Sequence, residues 1–115
     1  MPPLDVIDVT DRYTHLALSG RLDIPAVNTI QLRFTTEATV RRKPVILDLS
    51  GVELMTSYAM GMLVSAARTL LGHGASIVAY GARPHVDLAL RAIALDRVIP
   101  LVSDLAAAKQ QIGAP

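Results

Sequence analysis

The chain has 115 residues, a size suited to one domain with a respectable core. Hydrophobic residues make up 51% and aromatics only 3%, which excludes a disordered chain and requires a core of Val, Ile, Leu, Ala and Met. A net charge of +1, with acids and bases interspersed, predicts no attraction to nucleic acid or an acidic membrane. The absence of cysteine excludes disulfides and thiolate chemistry and points to a reducing cytosol. No apolar run reaches the ~20 residues of a membrane-spanning helix, and Met1-Pro2-Pro3 does not begin a signal peptide.

Leu4–Val9 alternates imperfectly and reads as a first strand, followed by a tight turn at Asp11-Arg12. Tyr13–Leu18 alternates better, with Leu16 and Leu18 on one face and His15 and Ala17 on the other. The short link implies an antiparallel hairpin. Ser19-Gly20-Arg21 leads to Leu22-Asp23-Ile24-Pro25, where Asp23 reads as an N-cap and Pro25 fits the first helical turn. Val27, Ile30, Phe34 and Ala38 then share one face of a helix. The basic triplet Arg41-Arg42-Lys43 ends it. It reads as cations favoured at a helix C-terminus, the commoner use, or as a nucleic-acid patch.

Pro44–Leu63 is the stretch around which the chain is organised. Val45–Leu49 reads as a strand buried on both faces, Ser50-Gly51 as a turn and Val52–Met55 as a link. Thr56 and Ser57 are good N-cap residues for a helix from Tyr58 to Leu71. Its apolar face comprises Ala59, Met60, Leu63, Val64, Ala67, Leu70 and Leu71. Gly72-His73-Gly74 stops that helix. Ser76–Tyr80 reads as a strand and Gly81-Ala82-Arg83 as a turn. Pro84 opens a third helix with Val86, Leu90 and Ile93 inward. Arg97–Leu101 reads as a last short strand, at an edge because of Pro100. Ser103 caps a final helix in which Leu105, Ala108 and Ile112 share a face.

Strands alternating with helices predict a single α/β domain over residues 1–115, with right-handed crossovers. The expected sheet is small and mixed, its first strand antiparallel and the rest parallel, covered by about four helices. Functional loops gather at the carboxyl ends of parallel strands, so Gly20–Pro25, Ser50–Ser57 and Gly81–Pro84 should meet. There hydroxyls and unpaired N–H groups stand at a helix N-terminus, where negative charge is favoured.

The usual catalytic constellations are missing: no GxGxxG, no Walker-type phosphate loop, no GxSxG and no HExxH. His15, His73 and His85 have no second ligand at helical spacing, so no metal site is expected. Ser57, His85 and Asp23 can be assembled into a triad across the loops, but any chain with three histidines offers such a triple. The sequence does not read as an enzyme and implies no cofactor.

Four segments carry a family resemblance. Ser19-Gly20-Arg21-Leu22-Asp23 is similar to a G-x-L-D motif before a first helix, and Val45–Leu49 to a hydrophobic-Asp-Leu strand. Met55–Gly61, MTSYAMG, stands where an Asp-Ser-Ser/Thr-Gly-Leu-Gly signature is carried, and Asp96–Leu101, DRVIPL, is similar to a last strand. Together they resemble the STAS domain, the family of bacterial anti-sigma-factor antagonists that also includes the cytoplasmic tails of sulfate transporters.

The resemblance implies a cytoplasmic signalling module of transcription regulation. Its signature surface would dock on an anti-sigma factor of the histidine-kinase-like ATPase type, and phosphorylation of the signature's second hydroxyl residue would abolish docking. Here Thr56 replaces the signature Asp, Ser57 is retained, Tyr58 takes the phosphorylated position and Ala59 replaces the following Gly. The partner-binding residues expected on this basis are Asp23, Thr56, Ser57, Tyr58, Ala59, Met62 and Arg83, with Ser57 the candidate for phosphorylation. Tyr58 and Met62 either form an exposed apolar patch or complete the core. The alternative is an accessory subunit of a lipid or anion transport complex, whose partner would be a transporter subunit. A homodimer stays open.

Overall fold

The computed structural model describes residues 2–113. The expected α/β domain is present: β1 (Leu4–Val9), β2 (Thr14–Leu22), α1 (Ile24–Thr39), β3 (Val45–Met55), α2 (Ser57–Gly72), β4 (Ile77–Tyr80), α3 (Pro84–Ala92), β5 (Leu101–Val102) and α4 (Leu105–Gln111). The sheet runs β1-β2-β3-β4-β5, with β1 antiparallel to β2 and every other pair parallel.

Successive residues of a strand face opposite sides, and both sides are used. Leu47, Ile77 and Ala79 join the main core with Val27, Phe34, Leu63 and Leu90 from α1, α2 and α3. Ile46 and Val78 point the other way and pack with Tyr13 and Ala108 beneath α4. In α1 the stripe read from periodicity, Val27, Ile30, Phe34 and Ala38, is the buried face.

The central strand is longer than expected. Ser50-Gly51 is not a turn, and Val52–Met55 is not a link: all six residues are strand. Pairing with β2 continues through Ser19–Gly51, Gly20–Val52 and Leu22–Met55, across two register shifts that let both strands bend. Gly51 is suited to that bend. A Cβ there would lie 2.9 Å from the Cβ of Ser19, so a side chain would push the strands apart.

Other expectations change for local reasons. Arg97 is not in a strand: Leu95–Arg97 form a single 3₁₀ turn entered through Ala94 in the left-handed region, and β5 begins only at Leu101, after Pro100. Ile93 is not inward, because α3 ends at Ala92 and the helical phase is lost; it is 54% exposed. The cap of α4 is Asp104 rather than Ser103, accepting the N–H of Ala107 at 2.8 Å. The buried stripe of α2 is rotated toward α1, taking in Met62 and Ala66 and leaving Leu71 half exposed. Two of the three cations after α1 are engaged within the fold: Arg41 pairs with Glu37 at 3.0 Å, and Lys43 donates to the Thr10 carbonyl at 3.2 Å.

Candidate functional site

The site follows from one register. Because Leu22 pairs with Met55 at the ends of β2 and β3, Asp23 and Thr56 begin two neighbouring helices side by side. Asp23 Oδ1 accepts the N–H of Ala26 at 3.0 Å. Thr56 Oγ1 accepts the N–H of Ala59 at 3.2 Å and donates to the Leu22 carbonyl at 2.6 Å. That hydroxyl caps α2 and also ties it to β2.

The third loop joins from β4. Arg83 Nε donates to the Ser50 carbonyl at 3.2 Å, and His85 Nε2 donates to the Glu53 carbonyl at 2.7 Å. Gly81, in the left-handed region at φ 76°, lets the loop turn against Ser50, whose Cβ would be 3.3 Å from a Cβ at residue 81. Of the three segments expected to converge, the central one meets both of the others, the first at Thr56 and the third at Ser50. The first is shorter than expected, since β2 reaches Leu22 and leaves only Asp23 before α1.

The candidate residues divide by position. Asp23 and Thr56 are half-buried caps, Ser57 and Arg83 are exposed, and Tyr58 is 43% exposed with its hydroxyl donating to Asn28 Oδ1 at 2.7 Å. Ala59 and Met62, also expected at the contact surface, are buried. The rotation of α2 onto α1 turns both side chains into the core, so the choice between patch and core splits: Tyr58 is surface and Met62 is interior. Ser57 takes no part in the hydrogen bonds that hold the turn.

The sequence reading missed the contribution of α1. Ile24, Asn28 and Leu32 run along its outer face at intervals of four residues beside Tyr58, with Ile24 56% and Leu32 82% exposed. The signal was there: two large apolar residues lie off the buried stripe of the same helix. Of the triad considered above, Asp23 caps α1 and His85 is bonded to a backbone carbonyl. Among the described residues, no three His, Cys, Asp or Glu side chains are grouped to hold a metal, and no helix is long and apolar enough to cross a membrane.

A separate polar group lies on the α4 side of the sheet. His15 is buried, with Nε2 2.8 Å from the hydroxyl of Tyr80. Burial lowers the pKa of His15, opposed by the charges of Asp48 and Asp8 and assisted by Lys109. Burial and Asp48 push Tyr80 up to about 12. The unfolded chain therefore binds a proton at His15 more readily than the folded one. Stability should be fully present above the ordinary histidine value of 6.5 and decline as pH falls below it. Urea unfolding at about pH 7.5 and pH 5.5 should show this decline reduced in His15→Gln, whose amide can still reach Tyr80. Equal declines in the two proteins would exclude His15 as the cause.

A family model described as Mlab, STAS domain, matches residues 6–103. The fold is similar to that of an anti-sigma-factor antagonist (STAS) domain protein from Planctomyces limnophilus, at 20% identity and a TM-score of 0.84, covering 96% of this chain and 98% of that chain. An anti-sigma factor antagonist from Mycobacterium paratuberculosis is similar at 18% identity and a TM-score of 0.81, covering 96% of this chain and 94% of that one. The antagonist SpoIIAA in its unphosphorylated form is similar at 19% identity and 0.76, covering 97% and 98%. No curated protein sequence matches the chain.

Proposed function

The chain belongs to the STAS-domain family whose model is described as Mlab, STAS domain, and on that premise we propose that it is a non-enzymatic interaction module of the anti-sigma-factor-antagonist type. Its partner in this reading is an anti-sigma factor of the histidine-kinase-like ATPase type, met through the surface around residues 56–62, in the cytoplasm of a bacterium. One observation carries the reading: three successive hydroxyl residues have three different uses. The hydroxyl of Thr56 is engaged twice inside the fold, that of Tyr58 is bonded to Asn28, and Ser57 stands exposed at the first position of α2, a helix start that Thr56 ties to β2.

Ser57 is thus the residue of the turn best suited to modification. A phosphate there adds about −1.5 to −2 charge at neutral pH. The N-terminus of α2 tolerates negative charge, so the effect falls on the docking surface rather than on the fold. The test is an affinity pull-down from lysate of the native organism, with the intact protein and with Ser57→Asp, read by mass spectrometry. The expected result is a kinase-like regulator whose recovery drops at least about tenfold with Ser57→Asp at unchanged melting temperature. Undiminished recovery would remove Ser57 as the control point.

Tyr58 favours a second reading, an accessory subunit of a membrane transport complex. Its hydroxyl is held by Asn28 at the position where the antagonists carry the phosphorylated residue. A module without that residue suits a constant scaffold, and recovery of transporter subunits indifferent to Ser57→Asp would establish this role instead.

A further inference from the structure

The structure carries a groove that none of the described segments fills. Because α2 packs against α1, it has little contact with α3, and a groove of about 560 Å³ opens along its far side. Ser57, Gly61, Val64, Ser65 and Arg68 line it from α2, with Met60 at its floor and Ile93 on the wall supplied by the end of α3. The α2 residues form one stripe at intervals of three and four. Ser57 and Arg68 are eleven positions apart, about 16 Å or three helical turns along the axis.

Two features of the groove have no use inside the fold. Gly61 lies in mid-helix, where glycine costs about 1 kcal/mol relative to alanine. A Cβ at Gly61 would meet no atom within 4 Å, so no internal contact requires its absence. Ile93, more than half exposed, forms an apolar wall facing that gap.

The charges indicate the occupant. Among the described residues, Arg68 is the one charged side chain lining the groove, at its far end. The near end is the start of α2, the positive end of the helix, where Thr56 satisfies the N–H of Ala59 and no acidic residue lies in the first turn. Both ends are therefore electropositive, and the middle is built of small and apolar residues, Met60, Gly61, Val64 and Ile93, with the hydroxyls of Ser65 and Thr69 beside them.

We propose that this groove receives an amphipathic helix of a partner protein, about three turns long, with small or apolar residues on its contact face and a carboxylate near each end. A second copy of the chain fits poorly. Antiparallel pairing of two α2 helices would place each Arg68 against the positive end of the other, and parallel pairing would set Arg68 against Arg68. The proposal rests on the interaction-module reading and specifies the partner's chemistry.

The test uses the intact protein and a synthetic, lactam-stapled Ala/Leu helix of about fourteen residues, with Glu near both ends or Lys in the same places. Backbone amide shifts are followed by NMR. The expected shifts cluster at Ser57, Gly61, Ser65, Arg68 and Ile93, and the Glu peptide binds about tenfold tighter than the Lys peptide at low salt. Arg68→Glu should shrink that preference to about threefold or less. Gly61→Leu, which places its side chain in open space, should abolish the shifts at an unchanged or higher melting temperature.

Equal affinity for the two peptides, or shifts centred on Ile24 and Leu32 of α1, would overturn the proposal. So would concentration-dependent shifts at the groove without peptide, which would assign it to a second copy. The peptide result does not depend on which partner a lysate yields. Failure of the groove is thereby distinguishable from failure of the module reading, which would appear as a pull-down without any regulator or transporter subunit.

Discussion

Replacing Met62 by alanine should destabilise the domain by about 2–5 kcal/mol, the range for truncating a buried methionine that leaves a partly collapsed cavity. The Met62 side chain is 4% exposed and belongs to the main core, where α2 meets α1 and the sheet. For a domain of this size each kcal/mol moves the melting midpoint by roughly 4 °C, so a fall of about 8–20 °C is expected. Below the new midpoint, affinity for a partner docking on the turn should be preserved, since the side chain does not reach the surface. Thermal unfolding followed by binding at a temperature where both proteins are folded would check it. An unchanged midpoint with binding lost would return Met62 to the contact surface.

Replacing Thr56 by valine should cost about 2–3 kcal/mol, although the shape of the side chain is conserved. About 1 kcal/mol comes from the lost N-cap and the rest from the Leu22 carbonyl, left without its donor in a half-buried setting. Thr56→Ser keeps both bonds and should recover most of the loss. Urea unfolding of the two variants, with hydrogen exchange at the Ala59 amide, measures the effect. If Thr56→Val costs less than about 0.5 kcal/mol, the hydroxyl does not tie α2 to β2 as its distances of 2.6 and 3.2 Å imply. These two substitutions separate residues that hold the site from residues that present it, a distinction between Thr56 and Ser57 that sequence leaves open because both are good N-cap residues.

Much of the architecture was legible in the chain. The four-residue stripe of α1, its Asp23 cap, and the Gly74 turn after α2 are local signals, and local energetics decides them. In that turn the N–H groups of Gly74 and Ala75 reach back to the carbonyls of Leu71 and Leu70, as a left-handed glycine after a helix allows. The alternation of strands and helices likewise determined the sheet, because parallel neighbours require crossovers and crossovers have one hand. The identity of the signature segment, MTSYAMG, could also be read, as could its departure from the family pattern at Tyr58.

The remaining features depend on distant partners. Whether Ser50-Gly51 turns or continues as strand is settled by Ser19 and Gly20, some thirty residues earlier, which pair with Gly51 and Val52 and draw β3 onward to Met55. Periodicity assigns a helix an apolar side but not its edges. Tyr58 and Met62 lie four residues apart on one side of α2, and only the docking of α2 on α1 makes the first surface and the second core. The same lean opens the groove beside α3, where the loss of helical phase at Ile93 leaves an apolar side chain exposed. Sequence by itself determined the elements, most of their caps and their order, because these follow from contacts within a few residues. Tertiary structure alone decided which hydroxyl is available and where the domain is left uncovered, because both depend on how already-formed helices lean on one another.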